Sequence, residues 1–113
     1  MHKHIRFWLL LLASLWFAAG AWAQSYYVDI TNRTGFVITH IYISPADSSS
    51  WEDDVLGNKV LARDATQRVT LNGYRSPIFD IKLVDTDGDT YTYWKVDVSK
   101  RDIVARPEHL DRR

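Results

Sequence analysis

The sequence predicts an all-β fold, a small antiparallel β-sandwich or partly open barrel of six to seven short strands with one short helical turn. Runs rich in β-branched and aromatic residues alternate with turn residues at roughly every 8–12 positions. The 113 residues allow one domain, and 46% hydrophobic with 25% charged residues is ordinary for a globular protein. Because the chain contains no cysteine, a disulfide scaffold, a cysteine-ligated zinc site and a cysteine nucleophile are excluded.

Residues 1–23 have the pattern of an export signal. A short basic start precedes an uncharged apolar run over 7–19, and Ala21-Trp22-Ala23 is a small-x-small cleavage site. We predict cleavage after Ala23 and a periplasmic (or secreted) protein of a Gram-negative bacterium. The alternative is an uncleaved anchor, since the apolar stretch through Ala23 has 17 residues, at the short edge of what spans a bilayer.

The remaining domain, residues 24–113, is weakly acidic. Loss of Lys3 and Arg6 lowers the 14 basic residues to 12 against 14 acidic ones, which gives a net charge of −2. This balance gives no electrostatic basis for binding a phosphate backbone. We therefore expect no nucleic-acid partner, and no membrane contact after cleavage.

The first two strands are predicted at 26–31 and 36–44, separated by a turn at 32–35. Tyr26, Val28 and Ile30 share one face of the first strand. The register of this predicted hairpin stays open, because a four-residue loop and a three-residue loop with a bulge place opposite faces inward.

The next segment predicts one or two helical turns over 51–56. Ser50 can cap a helix, acidic residues fill its first turn, and Gly57 stands where a terminating glycine belongs. Strands are predicted at 58–62 and 66–71 and a turn at Asn72-Gly73. A last short strand is predicted at 103–105, and 107–110 is a turn or short helix.

The hairpin over 77–98 carries the clearest local pattern. Asp87-Gly88 favours a two-residue turn, which pairs Ile81 with Trp94 and Leu83 with Thr92. Tyr91 and Tyr93 then lie on the opposite, outer face, either covered or exposed as a tyrosine patch. The predicted core residues of this hairpin are Phe79, Ile81, Leu83, Trp94, Val96 and Val98.

The turn of this hairpin is also a candidate cation site. Asp85, Asp87 and Asp89 alternate, and hard cations such as Ca²⁺ take several carboxylate oxygens. The spacing lacks the glycine and glutamate of an EF-hand loop, so a hairpin tip with solvated acids is the alternative. We expect no cofactor beyond this weak calcium site.

The sequence favours binding over catalysis. Neither His40 nor His109 stands in a recognisable triad or zinc motif. We predict a non-enzymatic protein-binding module, a monomer or an edge-paired dimer, whose partner is another envelope protein. The alternative is a module that binds a cation or an envelope glycan through the Asp85–Asp89 loop. Candidate partner-binding residues are Trp51, Glu52, Asp53, Asp54, Tyr91 and Tyr93.

Three stretches of the chain carry a family resemblance. They are Asn32-x-Thr34-Gly35-x-x-Ile38-x-x-x-Tyr42-x-Ser44-Pro45, Trp51-x-x-Asp54-x-Leu56-Gly57, and Phe79-Asp80-Ile81 with Asp87-Gly88. The chain resembles a group of small exported bacterial proteins, some of which are labelled argininosuccinate-lyase-like. The resemblance implies export and a small domain. The label implies no lyase chemistry here, because argininosuccinate lyases are long, helical, multi-subunit enzymes.

Overall fold

The computed structural model describes residues 24–112 as a β-sandwich, which confirms the predicted all-β class. The predicted signal at 1–23 lies outside the described residues. The strands are β1 (Gln24–Asn32), β2 (Ile38–Pro45), β3 (Thr66–Tyr74), β4 (Ile78–Asp85), β5 (Thr90–Asp97) and β6 (Ile103–Ala105). The first sheet has the order β3-β1-β6 and the second sheet has the order β2-β4-β5. Neighbouring strands are antiparallel except β1 and β6, which are parallel.

One apolar core lies between the two sheets. Val28 and Ile30 of β1 are fully buried and Tyr26 is partly buried, so the predicted inner face of the first strand is confirmed. Alternation of apolar and polar residues at a period of two is what allows each strand to contribute one face to this core. Burial of these side chains is the main favourable contribution to folding.

The predicted first hairpin is wrong, because β1 and β2 belong to different sheets. The chain bends after β1 and crosses the sandwich, and buried Asn32 fixes that crossing. Its Nδ2 donates to the Phe36 carbonyl at 2.7 Å and to the Leu61 carbonyl at 3.1 Å, and its Oδ1 accepts from the Thr34 hydroxyl at 2.7 Å. The Asn32 side-chain amide thus bonds backbone carbonyls that strand-to-strand hydrogen bonds would satisfy in a β-hairpin.

The predicted helical turn over 51–56 is also wrong. Residues 51–53 have no regular structure, Asp54 forms a bridge with Tyr42 of β2, and residues 55–58 form a turn. The Ser44 hydroxyl accepts the N–H of Glu52 at 2.7 Å, so these backbone groups bond to the sheet rather than to a helix. Within residues 24–112 the helical structure is one 3₁₀ turn at Pro107–His109, and no helix there has the length and hydropathy needed to cross a membrane.

The predictions for three shorter elements have different outcomes. Strand β3 runs through the predicted Asn72-Gly73 turn, where the register shifts by a bulge and Gly73 takes a φ of +88°. The predicted strand at 58–62 is reduced to a single bridge between Leu61 and Ile38. The strand at Ile103–Ala105 is confirmed.

The β4–β5 hairpin has a three-residue loop instead of the predicted two-residue turn. The N–H of Asp85 bonds the Asp89 carbonyl at 2.9 Å, and Gly88, at φ +82°, returns its N–H to the Asp85 carbonyl. The extra loop residue shifts the register by one, so Tyr91 faces Leu83 and Tyr93 faces Ile81. One residue of slip exchanges the two faces of a strand.

A bulge later in β5 reverses that exchange. The register shifts again between Phe79 and Ile81, and Lys95 takes a left-handed φ of +52°. Phe79 therefore faces Val96, as predicted. The predicted core is confirmed for Phe79, Ile81, Leu83, Val96 and Val98.

Between these two irregularities the predicted faces are inverted. Trp94 is wrong as a core residue, since it is 65% exposed on the outer face of the second sheet. Tyr91 is wrong as an outer residue, since it is buried in the core. Tyr93 also faces inward and is partly buried against the core.

Candidate functional site

Two pairs of aromatic rings lie together on the outer side of the second sheet. The rings of His40 and Tyr42 stack with centroids 5.9 Å apart, and those of Trp51 and Trp94 lie 5.8 Å apart at 39°. Lys82 joins the two pairs, because its Nζ lies 5.4 Å from the Tyr42 ring and 5.0 Å from the Trp51 ring. We call these five residues the aromatic stripe.

Strand pairing explains why the stripe forms. His40 and Tyr42 are alternate residues of β2, and Tyr42 faces Lys82 across the β2–β4 pair. Trp94 reaches the same face because of the register shift in the hairpin. Trp51 lies outside the sheet, on the loop that runs along β2.

A cleft lies at the tryptophan end of the stripe. Its volume is about 130 Å³, room for one side chain or a small ring. We call it the Trp cleft. Its lining residues are Ser44, Ser48, Ser49, Ser50, Trp51, Asp80 and Trp94.

Asp80 is the acidic group of the Trp cleft. Asp80 is 9% exposed, and its Oδ1 accepts the N–H of Lys95 at 2.8 Å. That bond holds the bulge beside Trp94. The other oxygen, Oδ2, accepts no hydrogen bond from residues 24–112, and no ion pair joins Asp80 to a basic residue in that range.

Asp54, a predicted partner-binding residue, holds the Trp51 loop in place instead. Its Oδ1 accepts the N–H groups of Ile41 at 2.9 Å and Leu56 at 3.0 Å, and its Oδ2 lies 2.8 Å from His40 Nδ1. Burial acts to raise the pKa of Asp54, but the combined effect of the two backbone N–H groups and the His40 ring is larger. The pKa of Asp54 therefore lies below its usual value.

Glu52 and Asp53 point away from the Trp cleft. Both line a shallow depression on the other side of the loop, beside Tyr74. The Tyr74 hydroxyl donates to Glu52 Oε1 at 2.7 Å, and this hydrogen bond raises the pKa of Tyr74. The predicted cluster 51–54 is therefore divided between two surfaces.

Asp85 of the predicted cation site is a structural residue. Its Oδ1 accepts the N–H groups of Asp87 at 2.9 Å and Asp89 at 3.0 Å, and its Oδ2 accepts the Tyr91 hydroxyl at 2.9 Å. Both oxygens of the buried carboxylate are thus engaged in holding the loop. Over residues 24–112 no three acidic or histidine side chains are grouped as metal ligands would be.

Tyr91 and Tyr93 are not available as a surface patch. Burial, together with the hydrogen bond to Asp85, raises the pKa of Tyr91 to about 12. The Tyr93 hydroxyl lies 2.9 Å from His109 Nδ1, and burial raises its pKa as well. The C-terminal segment covers this edge of β5, since Asp111 Oδ2 accepts the Thr90 hydroxyl at 2.7 Å.

A depression of about 350 Å³, larger than the Trp cleft, lies beside β1, between Tyr27 and residues 98–102. It exists because β6 pairs with β1 only from Ile30 to Asn32. The Asp102 carboxylate occupies part of the open edge by accepting the N–H of Asp29 at 3.0 Å. Its charged lining residues are Lys100, Arg101 and Asp102, and its aromatic ones are Tyr26 and Tyr27, so it lacks the tryptophan pair of the Trp cleft.

Sequence reasoning identified Trp51 but missed Asp80, Lys82 and Trp94 as parts of one surface. One signal was available: Asp87-Gly88 also fits the last two positions of a three-residue loop, which ends in a left-handed glycine. That alternative moves Trp94 to the outer face. The contact between Trp51 and Trp94 depends on the path of a loop and leaves no sequence pattern.

No protein-family model matches this chain, and comparison with curated proteins gives no match. Among solved structures, the NMR structure of the protein from Eubacterium rectale is similar to it, with a TM-score of 0.50 at 14% sequence identity. The match covers 74% of this chain and 74% of that chain. At this level of identity the similarity supports the fold and says nothing about function.

Proposed function

We propose that this protein is an exported, non-enzymatic binding module that recognises another envelope protein through the aromatic stripe. The observation that carries the proposal is the exposure of Trp94, which is 65% accessible on the outer face of the second sheet. Large aromatic residues grouped on a surface are typical of interaction sites and supply most hot spots in protein interfaces.

The neighbours of Trp94 support the same proposal. The stripe combines rings with Lys82, and it is bordered by hydroxyl groups at 48–50. Interfaces commonly have an aromatic centre inside a polar rim. The core holds the strands of the second sheet in place, so their backbone loses little conformational entropy on binding.

Binding without catalysis is proposed from the same surface. The ring of His40 bonds the Asp54 carboxylate, but no serine, threonine or tyrosine hydroxyl within 24–112 bonds the ring. An activated nucleophile needs such a pair. The apolar run and cleavage site over 1–23 are the basis for proposing a periplasmic location.

The test is capture of the partner by matched variants. The exported protein carries an affinity tag and is cross-linked in its own periplasm as wild type, Trp94→Ala or Tyr27→Ala. Tyr27 is the control, because it is a large aromatic residue 50% exposed on the other sheet. We expect one protein to be enriched by the wild type and Tyr27→Ala but not by Trp94→Ala. Identical enrichment with all three proteins would contradict the proposal, as would no enrichment with any of them.

An envelope glycan is a second candidate ligand of the same surface. The specific observation is the Trp cleft, where two indole rings stand beside four serines, since apolar sugar faces stack on aromatic rings and sugar hydroxyls bond polar side chains. Isothermal titration with soluble envelope glycans tests this candidate. Heat that disappears in Trp94→Ala would favour a glycan over a protein partner.

A further inference from the structure

We infer that the Trp cleft binds a cationic side chain, an arginine of the partner protein, with Asp80 as its counter-ion. This inference rests on the proposed protein-binding function and names the chemistry of the group that is recognised.

The state of Asp80 is the first argument. A carboxylate that is largely buried is costly unless a cation or several hydrogen bonds compensate it. Asp80 lines the cleft and has one such bond, to the N–H of Lys95. Its Oδ2 accepts no hydrogen bond from residues 24–112 and is reached by solvent. A cation that enters the cleft replaces that solvent and pairs with the carboxylate.

The indole rings are the second argument. A cation over the face of a tryptophan ring is attracted by the ring quadrupole. Trp51 already attracts one, since Lys82 Nζ lies 5.0 Å from its ring. Trp94 has no basic side chain over its ring within residues 24–112, and it lines the cleft together with Asp80.

The size of the cleft selects the form of the cation. A volume of about 130 Å³ holds the end of one side chain and is well below the 300–1,000 Å³ or so typical of sites for larger ligands. Arginine fits best, because its planar guanidinium stacks on a ring face while its N–H groups bond a carboxylate. The Ser44 hydroxyl and the serines at 48–50 line the same cleft and can take the remaining donors.

The test uses two short peptides, acetyl-Gly-Arg-Gly-amide and its citrulline counterpart, which has nearly the same shape but no charge. Binding to the protein purified after export is followed by NMR through the indole N–H signals of Trp51 and Trp94. Single Trp→Phe variants assign these two signals. We expect the arginine peptide to shift both signals, with a dissociation constant at least tenfold lower than that of the citrulline peptide.

Two variants test the counter-ion. Asp80→Asn keeps an oxygen for the Lys95 N–H but removes the charge, and we expect it to weaken binding of the arginine peptide at least tenfold. Asp87→Asn removes one charge from the exposed hairpin tip and should leave binding unchanged. If Asp80→Asn does not fold, the arginine-to-citrulline comparison on the wild-type protein decides the question.

The possible failures are distinguishable. Equal shifts with arginine and citrulline peptides, or no shift with either, would overturn the inference. Undiminished binding by folded Asp80→Asn would overturn it too. If the captured partner still requires Trp94 but binds Asp80→Asn as tightly as wild type, the proposed function stands and the cation inference is wrong. If a neutral glycan shifts the indole signals and the arginine peptide does not, the cation inference is wrong and the Trp cleft is a sugar site.

Discussion

The hydroxyl of Tyr91 donates a 2.9 Å hydrogen bond to Oδ2 of Asp85 in the interior of the sandwich. The same carboxylate accepts two backbone N–H groups of the hairpin loop through Oδ1. One side chain therefore links the loop geometry to the inward orientation of Tyr91. This link is the local reason why Trp94, three residues later, lies on the outer face.

Tyr91→Phe tests the contribution of this bond to stability. Removal of the hydroxyl leaves one buried carboxylate oxygen without its donor, which costs about 1–3 kcal/mol. We expect urea unfolding to show a loss of about that size in the free energy of unfolding, with an unchanged dependence on urea concentration. A stability equal to that of the wild type would mean that water replaces the tyrosine hydroxyl at no cost.

The pKa of Tyr91 predicts a loss of stability at alkaline pH. Burial raises that pKa to about 12, whereas the unfolded phenol ionises near 10. Between these values the unfolded state loses its proton first, so the contribution of Tyr91 is complete below pH 10 and declines toward pH 12. We expect the stability advantage of the wild type over Tyr91→Phe to shrink across this interval in urea titrations. A pH-independent difference between the unfolding free energies of the two proteins would contradict the raised pKa of Tyr91.

Asp54 and Asp53 form a matched pair of adjacent acids. Asp54 accepts two backbone N–H groups and contacts His40, whereas Asp53 is exposed. We expect Asp54→Ala to lower the free energy of unfolding by about 2–3 kcal/mol, and Asp53→Ala to change it by less than about 0.5 kcal/mol. Equal effects of the two substitutions would show that the Trp51 loop does not depend on Asp54.

The exposed position of Trp94 predicts a small effect on folding. Trp94→Ala should change the free energy of unfolding by less than about 1 kcal/mol, because no cavity forms. Ile81→Ala, at a fully buried position of β4, should cost about 2–5 kcal/mol. Thermal or urea unfolding compares the two variants directly. A loss of several kcal/mol in the free energy of unfolding of Trp94→Ala would show that Trp94 packs in the core.

Lys95 has a backbone conformation that glycine adopts more easily. Its φ of +52° costs a side-chain-bearing residue about 1 kcal/mol. We expect Lys95→Gly to be neutral or to stabilise the protein by up to about 1 kcal/mol, since relief of strain is partly offset by the entropy of the unfolded glycine. Clear destabilisation would indicate that the Lys95 side chain itself holds the bulge.

A residue is predicted correctly where nearby residues in the sequence determine its position, and incorrectly where distant contacts determine it. Val28 and Ile30 are placed correctly because alternation along one strand depends only on neighbouring residues. Val96 is placed correctly because the bulge at Lys95 cancels the one-residue shift of the hairpin loop. Trp94 and Tyr91 are misplaced because their faces depend on one loop residue and one bulge residue, and each of these reverses the strand. The helical turn at 51–56 is absent because Ser44 and residue 54 bond across to the sheet, a tertiary effect stronger than local capping propensity.

The sequence by itself determined the all-β class and most of the strand positions, since period-two alternation and turn residues are local properties. Tertiary structure alone decided that β1 and β2 enter different sheets, because the hydrogen bonds of Asn32 reach carbonyls as distant as Leu61. It also decided that Trp51 and Trp94 meet beside Asp80. Residues 43 positions apart meet there through a loop path and a bulge, neither of which hydrophobic alternation encodes.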